Sequence, residues 1–551
     1  MPEIARIIGG AGTGKTSHLL RLMEWWLQQD FMDPNHIGFV SFTKAARRAA
    51  STRAAAKFGT TPEELEKNGW FKTLHACCYK LLGTKGSEIL TDNKADKLWV
   101  SEAIGESISG TEDPEDSPTE AFAGNSAADI ALAIWGAARN RLAPLEEVWL
   151  RASHCDERTP ALEYVKQVVA KYEQAKRLDN RSDYTDVLGR YSGWGFNELG
   201  MSERQPEGYV PEVPVWFLDE AQDNSALTDA VARRLVSSAK WVYVVADPFQ
   251  SIYQWSGADP KHFFAWEATP GHERTLPQTF RCPAPIHELG EQVLRECSDY
   301  WDRQILPAPH AGEVSSVLYR EPWLDQIDPS QQTTWLLLAR TNFLAQRLAK
   351  RLDARGIPWM PVKGHGGKWA APVRIAACKS LLKIEGGYPI SVADWQCCLK
   401  HLPSKHGGKE LLKHGTKKEW DNYTGEPHDL LDPLLSHEWG VTPELMQLIK
   451  AGKWKQFVEH SEEFCAAWKQ WGPLSVLEPR VRVGTIHAVK GMEADNVLLL
   501  TTTTHQVMRS AEDQAGRDEE LRVWYVGVTR ARKKLIIARE HDAKFCWELP
   551  L

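Results

Sequence analysis

At 551 residues the chain exceeds what one hydrophobic core organises, so several domains are expected. It is 42% hydrophobic and 25% charged with a formal net charge of −7, an ordinary globular balance without a global basic field, so a nucleic-acid groove would have to be a local basic patch. Ten cysteines without a C-x-x-C, no secretory signal and no membrane-length apolar run argue against structural zinc, a disulfide framework and a membrane partner, and lead us to expect a cytoplasmic protein.

The first element is a strand, Ile4-Ala5-Arg6-Ile7-Ile8, followed by Gly9-Gly10-Ala11-Gly12-Thr13-Gly14-Lys15-Thr16 and a helical pattern from Ser17 to Met23. Strand, G-x-x-x-x-G-K-T and helix in that order form a phosphate loop. Glycines let backbone N–H groups turn toward a phosphate chain, and the helix N-terminus adds free donors. Lys15 is suited to the β- and γ-phosphates and Thr16 to Mg²⁺. A helix-leaning stretch follows from 85 to 183, interrupted by an acidic, proline-bearing loop around Glu112–Pro118.

Next come buried-type runs with polar chemistry at their C-terminal ends. Val215–Leu218 ends in Asp219 and Glu220, Trp241–Ala246 ends in Asp247, and Trp335–Ala339 ends in Arg340. A second helix-leaning stretch, 364 to 479, carries a basic, glycine-interrupted segment from Lys400 to Lys418, which duplex phosphates or plain solvation explain equally well. Asn496–Leu500 and Leu535–Ala538 close the series. Runs of this kind are strands of parallel α/β sheets, whose ligands bind off the strand carboxyl ends. An α/β fold with two cores, each interrupted by a helical insertion, is predicted. Beside the phosphate loop, Asp219 can hold Mg²⁺ and Glu220 can accept a proton from attacking water.

An ordered series of motifs then runs nearly the length of the chain. After the phosphate loop come Ser41-Phe42-Thr43-Lys44, Thr73-Leu74-His75-Ala76 and Asp219-Glu220-Ala221-Gln222-Asp223. Ala246-Asp247-Pro248-Phe249-Gln250-Ser251-Ile252-Tyr253-Gln254-Trp255, Gln278-Thr279-Phe280-Arg281 and Ala339-Arg340-Thr341-Asn342 follow. Thr485-Ile486-His487-Ala488-Val489-Lys490-Gly491-Met492-Glu493 and Tyr525-Val526-Gly527-Val528-Thr529-Arg530-Ala531 complete it. In this series the chain resembles the UvrD/Rep/PcrA-type superfamily 1 DNA helicases.

The resemblance implies two RecA-like P-loop domains, 1–84 with 184–283 and 284–363 with 480–551. The helical insertions are then 85–183 and a shortened 364–479. It implies ATP and Mg²⁺, with Gly9 to Ser17, Phe280, Arg281, Glu493 and Arg530 around the nucleotide, Phe280 stacking on the base and Glu493 on the ribose. Lys15, Asp219, Glu220, Gln250, Arg281 and Arg530 would carry catalysis, Gln250 as γ-phosphate sensor and the two arginines reaching the γ-phosphate from the two cores; an arginine finger is worth roughly 10³–10⁵ in rate. Single-stranded DNA would lie along Phe42, Thr43, Thr73, His75, Tyr253, Trp255, Arg340, Asn342, Thr485 and His487, with bases stacked on Tyr253 and Trp255.

The implied activity is 3′→5′ movement on single-stranded DNA coupled to strand separation, on junctions of single- and double-stranded DNA, by a monomer or weak oligomer working with replication or repair proteins. Two alternatives stand beside it: a translocase that strips proteins with little unwinding, and a nucleotide-gated DNA-binding or loading factor. RNA as the track is a further alternative. The chain departs from its relatives at four places. Only eight residues precede Gly9, where relatives carry an adenine-reading glutamine segment. Ser17 stands in place of a frequent arginine, Ala246 of a usual glycine, and Ser256 of a frequent arginine. No appended nuclease is expected after Arg530.

Overall fold

The apolar runs assemble into two six-stranded sheets, each parallel throughout. The computed structural model describes residues 2–29, 32–41, 44–91, 93–108, 126–318, 322–363, 371–540 and 543–550. The first sheet contains β1 (Glu3–Ile8), β2 (Ile37–Val40), β3 (Trp70–Lys72), β4 (Val215–Leu218), β5 (Trp241–Ala246) and β6 (Glu273–Thr275), in the order β3-β2-β4-β5-β1-β6. The second contains β7 (Glu313–Leu318), β8 (Trp335–Ala339), β9 (Met360–Pro361), β10 (Val481–Thr485), β11 (Ala494–Leu500) and β12 (Ala531–Arg539), in the order β7-β12-β11-β8-β10-β9. Central strands such as β4 and β8 are buried along their whole length. That is why they read as unbroken apolar runs rather than alternating ones, as parallel strands covered on both faces do.

Register places the chemistry. β1 pairs with β5 from Glu3↔Trp241 to Ile8↔Ala246, so the phosphate loop and Asp247 leave the sheet side by side. β4 pairs with β5 from Val215↔Trp241 to Leu218↔Val244, which puts Asp219 at the same edge. In the second sheet, β8 pairs with β10 from Trp335↔Val481 to Ala339↔Thr485, so Arg340 and the turn holding His487 emerge together.

Between β3 and β4 the chain forms helices Lys94–Ile104, Ala127–Arg141, Leu145–Cys155 and Leu162–Leu178 around a separate apolar cluster that includes Val100, Ile134, Trp135 and Val168. The acidic loop at 112–118 lies outside the described residues. Below this cluster the Lys176 ammonium sits 3.0 Å from Glu173, 2.9 Å from Asp183 and 2.7 Å from Asp186, and Arg139 Nη1 lies 2.7 Å from Asp183. Three carboxylates that converge like metal ligands are thus already paired with two side-chain cations.

Between β9 and β10, helices Pro372–Glu385, Val392–Leu399, Pro443–Lys450 and Ser461–Trp471 share one core with the second sheet through Trp395 and Trp454. The basic segment is here an exception to the helical expectation. Lys405–His406 and Lys409–Glu410 pair as an exposed antiparallel hairpin, turned by Gly407 and Gly408 in left-handed conformation. Among the described residues no helix is long and apolar enough to cross a membrane.

Candidate functional site

The phosphate loop joins β1 to helix α1 (Lys15–Leu27). Gly12 and Gly14 hold φ of 71° and 78°, a region that side chains disfavour. Gly12 is also required by space, because a Cβ there would lie 2.3 Å from Arg281 Cβ and 2.7 Å from Thr279 Oγ1. Thr279 Oγ1 in turn donates to the Ala11 carbonyl at 2.7 Å, and the Phe280 N–H donates to the Gly12 carbonyl at 2.8 Å. The loop is therefore clamped by the strand carrying Phe280 and Arg281. Lys15 is buried with its ammonium 3.2 Å from the Gly10 carbonyl. Ser17 is exposed on the first turn of α1.

The Thr16 hydroxyl donates to Asp219 Oδ2 at 2.8 Å. Burial, and then the adjacent Glu220 carboxylate, push Asp219 upward from the usual carboxylate range. A bound divalent cation would reverse that direction, and a hydroxyl beside a buried carboxylate at a phosphate loop is an oxygen set suited to Mg²⁺. Glu220 has φ 56°, a left-handed conformation rare for a non-glycine residue and a local strain. Burial opposes its ionisation, but Lys15, Lys490, a hydrogen bond from the Gln222 amide and Arg530 outweigh it and hold Glu220 low. Two adjacent acids are thus driven apart, one raised and one lowered.

The far side of the cleft comes from the second sheet. Arg530 follows helix α2 (Gln514–Val528) and is 1% exposed. Its Nη2 lies 3.3 Å from Gln250 Oε1, its Nε donates to the Val526 carbonyl at 2.9 Å, and its Nη1 donates to Met492 O at 3.1 Å. Burial lowers Arg530 to about 10. Gln250 Nε2 donates to Asp247 Oδ2 at 2.7 Å, so Gln250 links the strand end of β5 to Arg530. Arg281 Nε bonds Glu493 Oε2 at 2.6 Å, and Phe280 stands 65% exposed beside them. An aromatic face left in solvent next to a phosphate loop is a natural platform for a planar base.

The proposed nucleic-acid residues fall into three groups. Trp255, Arg340, Asn342 and His487 line one cavity of about 740 Å³ together with Phe343 and residues of helix Leu145–Cys155. Arg340 is held there by a double contact with Glu520, 2.9 Å from Nε to Oε2. Among the described residues the buried Trp255 indole N–H has no partner. Tyr253 lies beneath, its hydroxyl donating to the His487 carbonyl at 3.4 Å and its ring 4.8 Å from the Lys490 ammonium. Thr73, His75 and Thr485 are set apart from the cavity lining. Thr73 caps helix Leu74–Leu82, His75 meets the ring of Tyr184, and buried Thr485 accepts from the Ala488 N–H at 3.2 Å. Burial lowers His75 to about 4 and holds His487 well below its ordinary value, so both are neutral imidazoles near pH 7. Phe42 and Thr43 lie outside the described residues.

Two family models match the chain. One, described as the UvrD/REP helicase N-terminal domain, matches residues 3–270; the other, the UvrD-like helicase C-terminal domain, matches residues 472–541. Together they take in more than half of the chain, with the phosphate loop, Asp219, Glu220 and Gln250 in the first range and Thr485, Lys490 and Arg530 in the second. The chain belongs to the UvrD/Rep helicase family. It is similar to a protein named ATP-dependent DNA helicase PcrA from Staphylococcus aureus strain Mu50, 23% identical over 389 residues, covering 65% of this chain and 49% of that protein. The protein of that name from Staphylococcus epidermidis strain ATCC 35984 is 22% identical over 384 residues, with coverage of 65% and 49%. The chain spans about half the length of the curated relatives it matches.

In this family member the structure also gathers residues to which the sequence reading assigned no role. Lys490, from the second sheet's side, contacts both Asp223 oxygens at 2.6 and 2.5 Å and donates to the Gln250 carbonyl at 2.6 Å. Burial raises Asp223 to about 6 despite that cation. Lys490 and Asp223 stand inside motifs that were read, so their pairing needed only the fold to become visible. Tyr525 likewise opens one of the motifs, whereas Arg303, which converges with it on Asp247, stands in no motif at all.

Proposed function

We propose that the chain is an ATP-dependent DNA helicase or translocase that moves on single-stranded DNA, 3′→5′, using ATP hydrolysis between its two RecA-like domains. The observation that carries this reading is the composite cleft, in which Arg530 from the second sheet reaches Gln250 beside the phosphate loop of the first. In this reading Lys15 and the loop from Gly9 to Ser17 hold the phosphates, and Phe280 and Glu493 receive base and ribose. Thr16 and Asp219 would hold Mg²⁺, which supplies charge neutralisation at the phosphates. Glu220, ionised beside Lys15, takes a proton from the attacking water. Arg281 and Arg530 offset charge developing on the γ-phosphoryl oxygens, which requires the two cores to close. Each closure then shifts the two groups of strand-end residues relative to one another along the DNA, where Trp255 and Tyr253 stack bases without sequence preference.

Single-stranded DNA and its junctions with duplex are the proposed substrates. The proposed setting is cytoplasmic, with replication or repair proteins as partners and a monomer or weak oligomer as the working form. The test is ATP hydrolysis with and without single-stranded DNA in the parent, Lys15→Ala and Glu220→Gln proteins. Both variants are expected to fold and to lose DNA-stimulated turnover; undiminished turnover in either would refute that residue's role. Tailed duplexes of both polarities, beside a protein-displacement assay, separate strand separation from translocation alone.

A further inference from the structure

The Asp247 carboxylate gathers hydrogen bonds from both sides of the cleft. Its Oδ1 accepts from Arg303 Nη1 at 2.8 Å and from the Phe249 N–H at 3.3 Å; its Oδ2 accepts from Gln250 Nε2 at 2.7 Å and from the Tyr525 hydroxyl at 3.4 Å. Its own N–H donates to Gln222 Oε1 at 3.1 Å, and the Gln222 amide in turn bonds Glu220. The Tyr525 hydroxyl accepts from the Ala11 N–H of the phosphate loop at 3.2 Å. Arg303 also holds Glu291 at 2.6 Å, and its guanidinium lies 4.8 Å from the Phe249 ring centre. Asp247, Arg303 and Tyr525 are all buried.

The pieces come from both sides of the cleft. Ala11, Gln222, Asp247 and Gln250 belong to the first sheet's ligand edge. Tyr525 lies on α2, five residues before Arg530, and α2 packs on the helix that carries Glu291 (Ala284–Arg295). A buried network with its acceptors filled is rigid and has few alternative arrangements. Tyr525 therefore fixes the distance between the phosphate loop and the helix that Arg530 follows, while Arg303 fixes the carboxylate to which both Tyr525 and Gln250 are tied.

We propose that Tyr525 and Arg303 are positioning residues for nucleotide hydrolysis, locking Asp247 to the phosphate loop so that Gln250 and Arg530 meet the γ-phosphate in register. This rests on the ATPase reading of the cleft. It predicts an effect on turnover rather than on nucleotide capture, because neither side chain is placed to hold the nucleotide.

The test uses the full chain with Tyr525→Phe, which keeps the ring and deletes the hydroxyl, and with Arg303→Lys, which keeps the charge but not the forked geometry. With saturating oligo-dT, each is expected to lower kcat about tenfold, with KM for ATP changed less than twofold. The double variant falls no further than the lower single variant, since both act through Asp247. Hydrogen–deuterium exchange supplies a readout that needs no turnover: in Tyr525→Phe the phosphate-loop peptide carrying the Ala11 amide exchanges about tenfold faster, while β8 is unchanged. Parental exchange at that peptide overturns the proposal, as does a loss lying wholly in KM or a fully additive double variant. A parent protein without DNA-stimulated hydrolysis would instead sink the ATPase reading, and the exchange result would still decide whether Tyr525 secures the loop.

Discussion

Replacing Lys490 by Met removes a buried cation that joins the two cores. In the parent, Lys490 and Asp223 are almost wholly enclosed and the ammonium also serves the Gln250 carbonyl. Breaking a buried pair typically costs about 3–5 kcal/mol. Geometry points to the lower end. Asp223 is already raised to about 6, so at pH 7 its ionised form is favoured by only about 1.4 kcal/mol. Stripped of Lys490 it takes up a proton and forfeits that amount. The Gln250 carbonyl loses its donor at a further cost of about 1–3 kcal/mol. The closed arrangement of the cores is thus expected to weaken by about 3 kcal/mol, roughly a hundredfold in population.

Energy transfer between dyes on the two cores reads that population, and DNA-stimulated ATPase should fall with it. A double-mutant cycle with Asp223→Asn should give a coupling energy of about 1.4 kcal/mol, because the Gln250 carbonyl loses its donor in both arms. The pH dependence has a definite sign. The carboxyl's folded-state value lies above that of a free aspartate, so acidification protonates it in the parent as well. Between pH 7 and pH 5 the deficit of Lys490→Met should shrink by about 1.4 kcal/mol. A variant that closes like the parent, a coupling energy near zero, or a deficit that grows on acidification would refute the reasoning.

Arg530→Lys should lower kcat by about 10³ or more at saturating DNA, because a lysine lacks the fork that spans Gln250, Val526 and Met492; a drop below tenfold in steady-state hydrolysis would contradict it. Trp255→Ala should weaken oligo-dT binding by about 1–3 kcal/mol while Trp255→Phe keeps most of the affinity, read by fluorescence anisotropy; equal losses in both would argue against stacking. Lowered to about 4 by burial, His75 is neutral in the folded chain, so its stabilising share is complete above its unfolded value near 6.5 and fades as pH falls toward 4. Between pH 7 and pH 5 that share is about 2 kcal/mol. His75→Gln should therefore flatten the loss of thermal stability over that interval, and an unchanged slope would refute it.

Strands whose ends carry the chemistry were legible because each holds a mostly apolar run that ends in polar residues or, for β1, in the phosphate loop: β1, β4, β5, β8, β11 and β12. Those that escaped were short or polar. β3 and β6 have three residues each, and β10 is interrupted by Arg482 and Gly484. The exposed hairpin at Lys405–Glu410 had no apolar alternation to announce it. In the site, the ordered motifs named the residues of the phosphate loop and the two arginines, since those depend on local sequence. The Asp247–Arg303–Tyr525 network did not show, because its members lie up to 278 positions apart and meet only when two sheets pack. Thr73 and Thr485, marked for DNA by motif position, also make helix-capping and turn-closing bonds, which only the fold reveals.

The placement of β1 has a consequence for synthesis. This strand, which leads into the phosphate loop, has β5 and β6 as its neighbours, and its pairing with β5 spans more than 230 residues. At about 5–20 residues per second, a ribosome needs roughly 10–50 s to deliver that partner. Throughout that interval the nascent chain carries an apolar segment with open edges, exposed to chaperones or to mispairing, and the first helical insertion has time to form its own apolar cluster beforehand. Nucleotide binding therefore belongs to the late stage of biogenesis, and chains truncated before Trp241 should emerge without it.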